Sequence, residues 1–130
     1  MKQKLLVLED SLFMQRFYKN YFKNLDIICK KNGKEGLQWL MDGNVPDGII
    51  VDYSMPVMNG FDFISSYAAF FEHHAPIIMI SGKEDNNAII SCLAAGAQDY
   101  IQKPFHPKVL AIKVNKWLAS QCFCKLNNTN

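Results

Sequence analysis

The sequence predicts an α/β fold in which a doubly wound, five-stranded parallel sheet is covered by five helices. Three observations predict it. Apolar runs of strand length alternate with helix-period stretches five times, the pattern of a parallel sheet with helical crossovers. The runs are almost continuously apolar, as in Leu5-Leu6-Val7-Leu8 and Ile77-Ile78-Met79-Ile80, which suits strands buried on both faces. Right-handed crossovers then leave a doubly wound sheet as the topology.

The elements follow in order. Lys4 to Leu8 is the first strand. Ser11 can cap a helix in which Leu12, Phe13, Phe17, Tyr21 and Phe22 recur at helical spacing. Leu25 to Cys29 is the second strand, and Gly33 to Met41 a short helix with Leu37, Leu40 and Met41 on its buried side. Asp42-Gly43-Asn44 marks the turn that ends it. Gly48 to Val51 is the third strand, followed by the loop Ser54 to Gly60 and a helix from Phe61 to Phe71. Pro76 introduces the fourth strand, Ile77 to Ile80. The fourth helix runs from Glu84 to Ala95 and stops at Gly96. Asp99 to Gln102 is a short fifth strand. The fifth helix starts after Pro107 and carries Val109, Leu110, Ile112, Val114, Trp117 and Leu118. Residues 121–130 read as a short polar C-terminal tail.

At 130 residues this is a single domain with length enough for a substantial core. A net charge of +2 asks for neither nucleic acid nor an anionic membrane as partner. No apolar run approaches the ~20 residues that span a bilayer. The opening Met1-Lys2-Gln3-Lys4 runs straight into a strand, which argues against a signal peptide and points to the cytoplasm. Cys29 and Cys92 read as small core residues. Cys122 and Cys124 form a C-x-C with no second ligand pair nearby. His73-His74 likewise reads as a solvated pair, because adjacent histidines need not converge on one ion. Lys108, Lys113 and Lys116 read as a basic face of the last helix, of the kind that is usually only solvated.

The chemistry sits where the apolar runs stop. The first run ends at Glu9-Asp10, the third at Asp52, the fourth at Ser81 and the fifth at Lys103. In an open α/β sheet the carboxyl edge of the strands is where sites are built. Each residue alone has an ordinary reading: helix-capping acids, a turn serine, a surface lysine. Three carboxylates brought together repel unless a cation neutralises them. Hard oxygen ligands suit Mg²⁺, with Mn²⁺ as the alternative. Lys103 and Ser81 could then hold the oxygens of a phosphoryl group.

These motifs resemble the receiver (CheY-like) domain of two-component response regulators. They are Leu5 to Asp10, Pro46 to Pro56 with Asn59-Gly60, Ile80-Ser81-Gly82, and Gly96 to Phe105. The resemblance covers nearly the whole chain and bounds the domain at residues 2–120. It implies the flavodoxin-like strand order 2-1-3-4-5. It implies that Asp52 is the phosphoacceptor, that Glu9, Asp10, Asp52 and the backbone carbonyl of Ser54 bind Mg²⁺, and that Ser81 and Lys103 stabilise the phosphoryl group. Ser81 and Tyr100 would be the switch pair, and the Lys103-Pro104 bond would be cis. The donor would be a phosphohistidine on a sensor histidine kinase or a histidine phosphotransfer protein. The output partner is not named by the sequence. A monomer, or a weak dimer through helix 4, strand 5 and helix 5, is expected, with no nucleic-acid or membrane binding by this chain. The domain would assist its own phosphorylation and dephosphorylation as a switch rather than as an enzyme.

Three other classes compete. A dehalogenase-like phosphotransferase uses a second aspartate two residues after its nucleophile, and that position is Ser54. A flavodoxin-like cofactor binder needs a phosphate-cradling loop after the first strand, where Glu9-Asp10 would repel phosphate. A degenerate receiver would lack part of the acid, serine and lysine set, which is intact. Lys83, two residues past Ser81, is a further candidate contact to the phosphoryl region, with a solvated lysine as its plainer reading.

Overall fold

The computed structural model describes residues 2–82 and 86–127, with 121–127 as backbone only. Lys83, Glu84, the side chains of Cys122 and Cys124, and the last three residues of the expected tail lie outside the described set. The elements are β1 (Lys4–Leu8), α1 (Leu12–Tyr21), β2 (Asp26–Lys30), α2 (Gly33–Met41), β3 (Gly48–Asp52), α3 (Gly60–Phe70), β4 (Ile77–Ser81), α4 (Asn86–Ala95), β5 (Asp99–Gln102) and α5 (Pro107–Asn127). All strand pairs are parallel, in the order β2-β1-β3-β4-β5. The expected fold class and strand order are therefore the observed ones.

Strand alternation builds two cores. Successive side chains of a strand point to opposite faces. Leu6, Leu8, Ile49, Val51 and Met79 face one side, with Leu40 of α2, Phe63 and Tyr67 of α3 and Cys92 of α4. Leu5, Val7, Ile50, Ile78 and Ile80 face the other, with Tyr18 of α1 and Leu110, Val114 and Leu118 of α5. The central strands are buried along their whole length, so their first polar residues fall at their ends.

Several boundaries and faces differ from expectation, each for a local reason. Leu25 donates its N–H to Phe22 O and closes the turn after α1, so β2 begins at Asp26. The Asn59 side chain accepts from Asp62 N at 2.9 Å, which starts α3 one residue early at Gly60. A Cβ on Gly60 would lie 2.8 Å from Tyr53 Cα, so glycine permits α3 to start against the end of β3. On α1, Leu12 and Phe13 are 70% and 79% exposed, whereas Tyr18 is 1% exposed. The buried stripe of α1 is Met14-Tyr18-Phe22 at i, i+4 spacing, with Phe17 beside it. Met41 is also exposed, leaving Leu40 as the buried residue of α2's last turn. Helix α5 continues to Asn127, through residues 121–127 that read as tail. Cys29 is only half-buried, while Cys92 is fully buried. Among the described residues, no helix is long and apolar enough to cross a membrane.

The expected basic face of α5 is partly consumed. Lys113 donates to Asp99 at 2.8 Å, and Lys116 lies 5.5 Å over the Trp117 ring. Burial would raise the Asp99 carboxyl, but the Lys113 ammonium outweighs it and holds Asp99 below its usual range. His73 and His74 are exposed, and His74 rests edge-on against Tyr67.

Candidate functional site at the carboxyl edge of the sheet

Parallel register collects the strand ends. Asp52 closes β3 opposite Ile80 of β4, and Ser81 closes β4 opposite Gln102 of β5. Lys103 follows β5, and its N–H donates to Ser81 O at 2.7 Å. Its side chain turns inward, with Nζ 2.7 Å from Asp52 Oδ2. The Lys103-Pro104 peptide bond is cis, as expected.

Glu9, Asp10 and Asp52 each offer a carboxylate oxygen, and these oxygens all lie within 4.8 Å of one another. Glu9 is 4% exposed and Asp52 3%, whereas Asp10 is exposed. Burial, followed by the hydrogen bond and negative charge of Asp52, pushes the Glu9 carboxyl up to about 8. Burial alone would lower Lys103, but its hydrogen bond to Asp52 and the charges of Asp52, Glu9 and Asp10 outweigh it and raise the ammonium's pKa. Three acids therefore face one ammonium, with Glu9 and Asp52 buried and Asp10 open to solvent. A set of hard oxygen donors with excess negative charge fits a divalent cation such as Mg²⁺.

The remaining expected residues fall around this cluster. The Ser54 N–H donates to Asp52 Oδ1 at 3.0 Å, so both oxygens of Asp52 are held. Ser81 is buried. Tyr100 is 40% exposed and lines a groove with His106, Val109 and Lys113, away from the acids. The structure thus brings Glu9, Asp10, Asp52 and Lys103 into one cluster, with Ser54 and Ser81 beside it and Tyr100 apart.

Three features escaped the sequence reading. Gln15 of α1 donates its side-chain amide to Glu9 O at 2.6 Å. Nothing in its sequence context marks that role. An apolar groove of about 610 Å³ runs along Phe13, Met14 and Phe17 of α1 and Pro104 and Phe105, and Lys103 lines it. Its aromatic residues are visible in the sequence, but their assembly is tertiary. Finally, Val57 has φ 69°, and Met58 N donates to Pro56 O at 2.7 Å across it.

That three-residue hydrogen bond around a positive φ is a strained γ-turn, and a β-branched residue is poorly suited to it. The left-handed region costs an L-residue roughly 1–2 kcal/mol, most of which glycine avoids. Glycine's greater unfolded-state freedom takes back about 0.4–1 kcal/mol. Val57 is exposed, so little packing is lost. Val57→Gly is therefore expected to stabilise the fold by about 1 kcal/mol, read as a higher urea midpoint at unchanged m-value. A midpoint below that of the parent protein would contradict this account of the turn.

Comparison with known proteins agrees with the geometry. The response regulator receiver domain family matches residues 5–115. The chemotaxis protein CheY1 of Helicobacter pylori strain J99 is 38% identical over 118 residues, covering 85% of this chain and 93% of that protein. A chemotaxis protein CheY homolog of Campylobacter jejuni is 34% identical over 121 residues, covering 90% and 93%. Among solved structures, the receiver domain of the Francisella response regulator 1452 superposes with a TM-score of 0.83 at 29% identity, covering 92% of this chain and 98% of that one. The signal receiver domain of a putative LuxO repressor protein from Vibrio parahaemolyticus gives 0.90 over the full length of both chains, at 23% identity, and speaks to the fold alone. With the family matched over most of its length and the fold shared, this chain belongs to the response regulator receiver domain family.

Proposed function

We propose that this domain is the phosphoacceptor switch of a two-component phosphorelay, with Asp52 as the residue that carries the phosphoryl group. Receiver domains take phosphoryl groups from histidine kinases and act on output partners. The observation that carries the assignment is the contact of Lys103 Nζ with Asp52 Oδ2 at 2.7 Å inside the acid cluster. Glu9, Asp10, Asp52 and the Ser54 backbone carbonyl would hold Mg²⁺, with Mn²⁺ as a substitute. When bound, the ion supplies positive charge to the acids and to the transferring oxygens.

The chain's own residues then do the following. Ser54 N–H and Lys103 hold the Asp52 carboxylate in one orientation, which suits in-line attack on phosphorus. A bond forms between an Asp52 oxygen and phosphorus as the phosphorus–nitrogen bond of the donor phosphohistidine breaks. Lys103 transfers its hydrogen bond from carboxylate to phosphoryl oxygen, and the Ser81 hydroxyl donates to another. Drawing Ser81 toward the phosphoryl group vacates space for Tyr100 to turn inward. That movement biases the face made by α4, β5 and α5, where Ile90, Leu93, Val109 and Ile112 are exposed.

The donor protein would approach along the apolar groove of α1, which leads to Lys103. Ser54 carries no carboxylate to activate water, so the domain acts as a store of the phosphoryl group rather than as a turnover enzyme.

The test is incubation with acetyl phosphate, with and without Mg²⁺, followed by intact mass. One phosphoryl adduct is expected with Mg²⁺, and little or none with a chelator. Equal yield in the chelated sample would sink the metal-assisted reading.

A further inference from the structure

We propose that Gln15 is a positioning residue for the acid pair, and that it sets the affinity of the site for a divalent cation. The inference rests on the cation reading above. It begins from how little holds Asp10. That residue is exposed, and it meets the Lys103 ammonium by charge, without the short contact that Lys103 makes to Asp52. Its placement therefore depends on the backbone of the turn that carries it.

That backbone is pinned at few points. Glu9 N–H donates to Lys30 O at 2.9 Å, which anchors the turn where it leaves the sheet. Ser11 N–H donates to Glu9 Oε1 at 3.2 Å, and the Ser11 hydroxyl accepts from Met14 N at 3.3 Å, which anchors the turn where it enters α1. Between these anchors lies the Glu9–Asp10 peptide unit. Its carbonyl oxygen accepts from Gln15 Nε2 at 2.6 Å. A peptide unit is planar, so holding its oxygen fixes the rotation of the whole plane. That rotation sets ψ of Glu9 and φ of Asp10 together, and with them the directions in which the two carboxylates leave the chain. The Gln15 backbone is fixed in turn, because its N–H donates to Ser11 O within the helix at 3.0 Å. Groups that orient metal ligands without touching the metal influence affinity nearly as strongly as some ligands do.

The experiment measures Mg²⁺ binding to the full chain by calorimetry, alongside thermal unfolding in chelator. Gln15→Met keeps the length and helix propensity of glutamine and removes the donor. It is expected to weaken Mg²⁺ binding about 10-fold while the metal-free unfolding temperature stays near that of the parent. Asn59→Ala is the contrasting variant. It removes the side-chain cap of α3, away from the Glu9–Asp10 turn, so it is expected to lower the unfolding temperature and leave Mg²⁺ affinity nearly unchanged. Gln15→Glu supplies a second arm with a sign of its own. Its extra negative charge should strengthen cation binding if charge alone matters, and its lost donor should weaken binding if the tether matters; weakening is expected. Parent-like affinity in Gln15→Met, or tighter binding in Gln15→Glu, would overturn the proposal. Absence of Mg²⁺ binding by the parent protein would instead refute the cation site itself.

Discussion

Asp52→Asn is expected to reduce the Mg²⁺-dependent phosphoryl adduct to background. The substitution preserves shape and removes only the nucleophilic oxygen and its charge. Asp52 is 3% exposed and is the carboxylate that Lys103 touches. Glu9 is equally buried, but its Oε1 accepts from the Ser11 N–H at 3.2 Å, and the Lys103 ammonium contacts Asp52 instead. Asp10 is exposed, and no described ammonium lies at hydrogen-bonding distance from it. Neither acid can therefore stand in for Asp52.

The same substitution separates chemistry from folding. Like charges about 5 Å apart repel by roughly 3 kcal/mol at the effective dielectric of a partly buried site. Asp52→Asn relieves repulsion with two acids and forfeits attraction to one ammonium. These effects oppose one another, so metal-free stability is expected to move much less than phosphorylation does. Stabilisation by Mg²⁺, read as the rise in unfolding temperature on adding the ion, should shrink sharply because a ligand is lost. Intact mass after acetyl phosphate treatment, followed by peptide mapping, checks the assignment. A parent-like adduct in Asp52→Asn would move the acceptor elsewhere.

Much of this site was legible because burial constrains sequence. A strand covered on both faces must stay apolar until it leaves the core, so Val51 to Asp52 and Ile80 to Ser81 mark both a boundary and a location. Lys103 was marked more weakly, by the end of a short strand in which only Ile101 is buried, and it lies 51 residues from the acid it contacts. The α1 face was harder to read. Phe13, Phe17, Tyr18, Tyr21 and Phe22 crowd one short helix, so several helical stripes satisfy the same periodicity. Only packing against Val7, Ile50 and Leu110 selects Tyr18. The groove at Phe13 and the Gln15 tether follow from that choice, because they depend on how α1 is rotated on the sheet. Val57 was hidden for another reason. Its positive φ accompanies the tight Met58 N–H to Pro56 O bond that spans it, and local propensity argues against it.

Lys103→Met is expected to slow phosphorylation from acetyl phosphate by about 10²–10³-fold, the usual cost of removing a charged donor aimed at developing negative charge. Methionine retains the alkyl stem beside Gly82 and Phe105 and discards the ammonium. Lys103 is one-third exposed at its side chain, so part of its ground-state attraction to Asp52 is screened by water. Its larger effect belongs to the transition state, when charge spreads over the phosphoryl oxygens. Cation binding should respond in the opposite direction. Removing a positive charge beside three acids leaves more negative potential for Mg²⁺, so affinity should hold or tighten while the rate falls. That opposition distinguishes a charge clamp from a general prop of the site, since a prop would lower both. Lys103→Arg should rescue only poorly, because a longer, planar guanidinium presents its donors in a different geometry from the compact ammonium that sits 2.7 Å from Asp52. Time courses of adduct formation at saturating Mg²⁺ give the rate, and calorimetry gives the affinity. A Lys103→Met protein that phosphorylates at the parental rate would remove Lys103 from the reaction and leave it as a counter-ion for Asp52 alone.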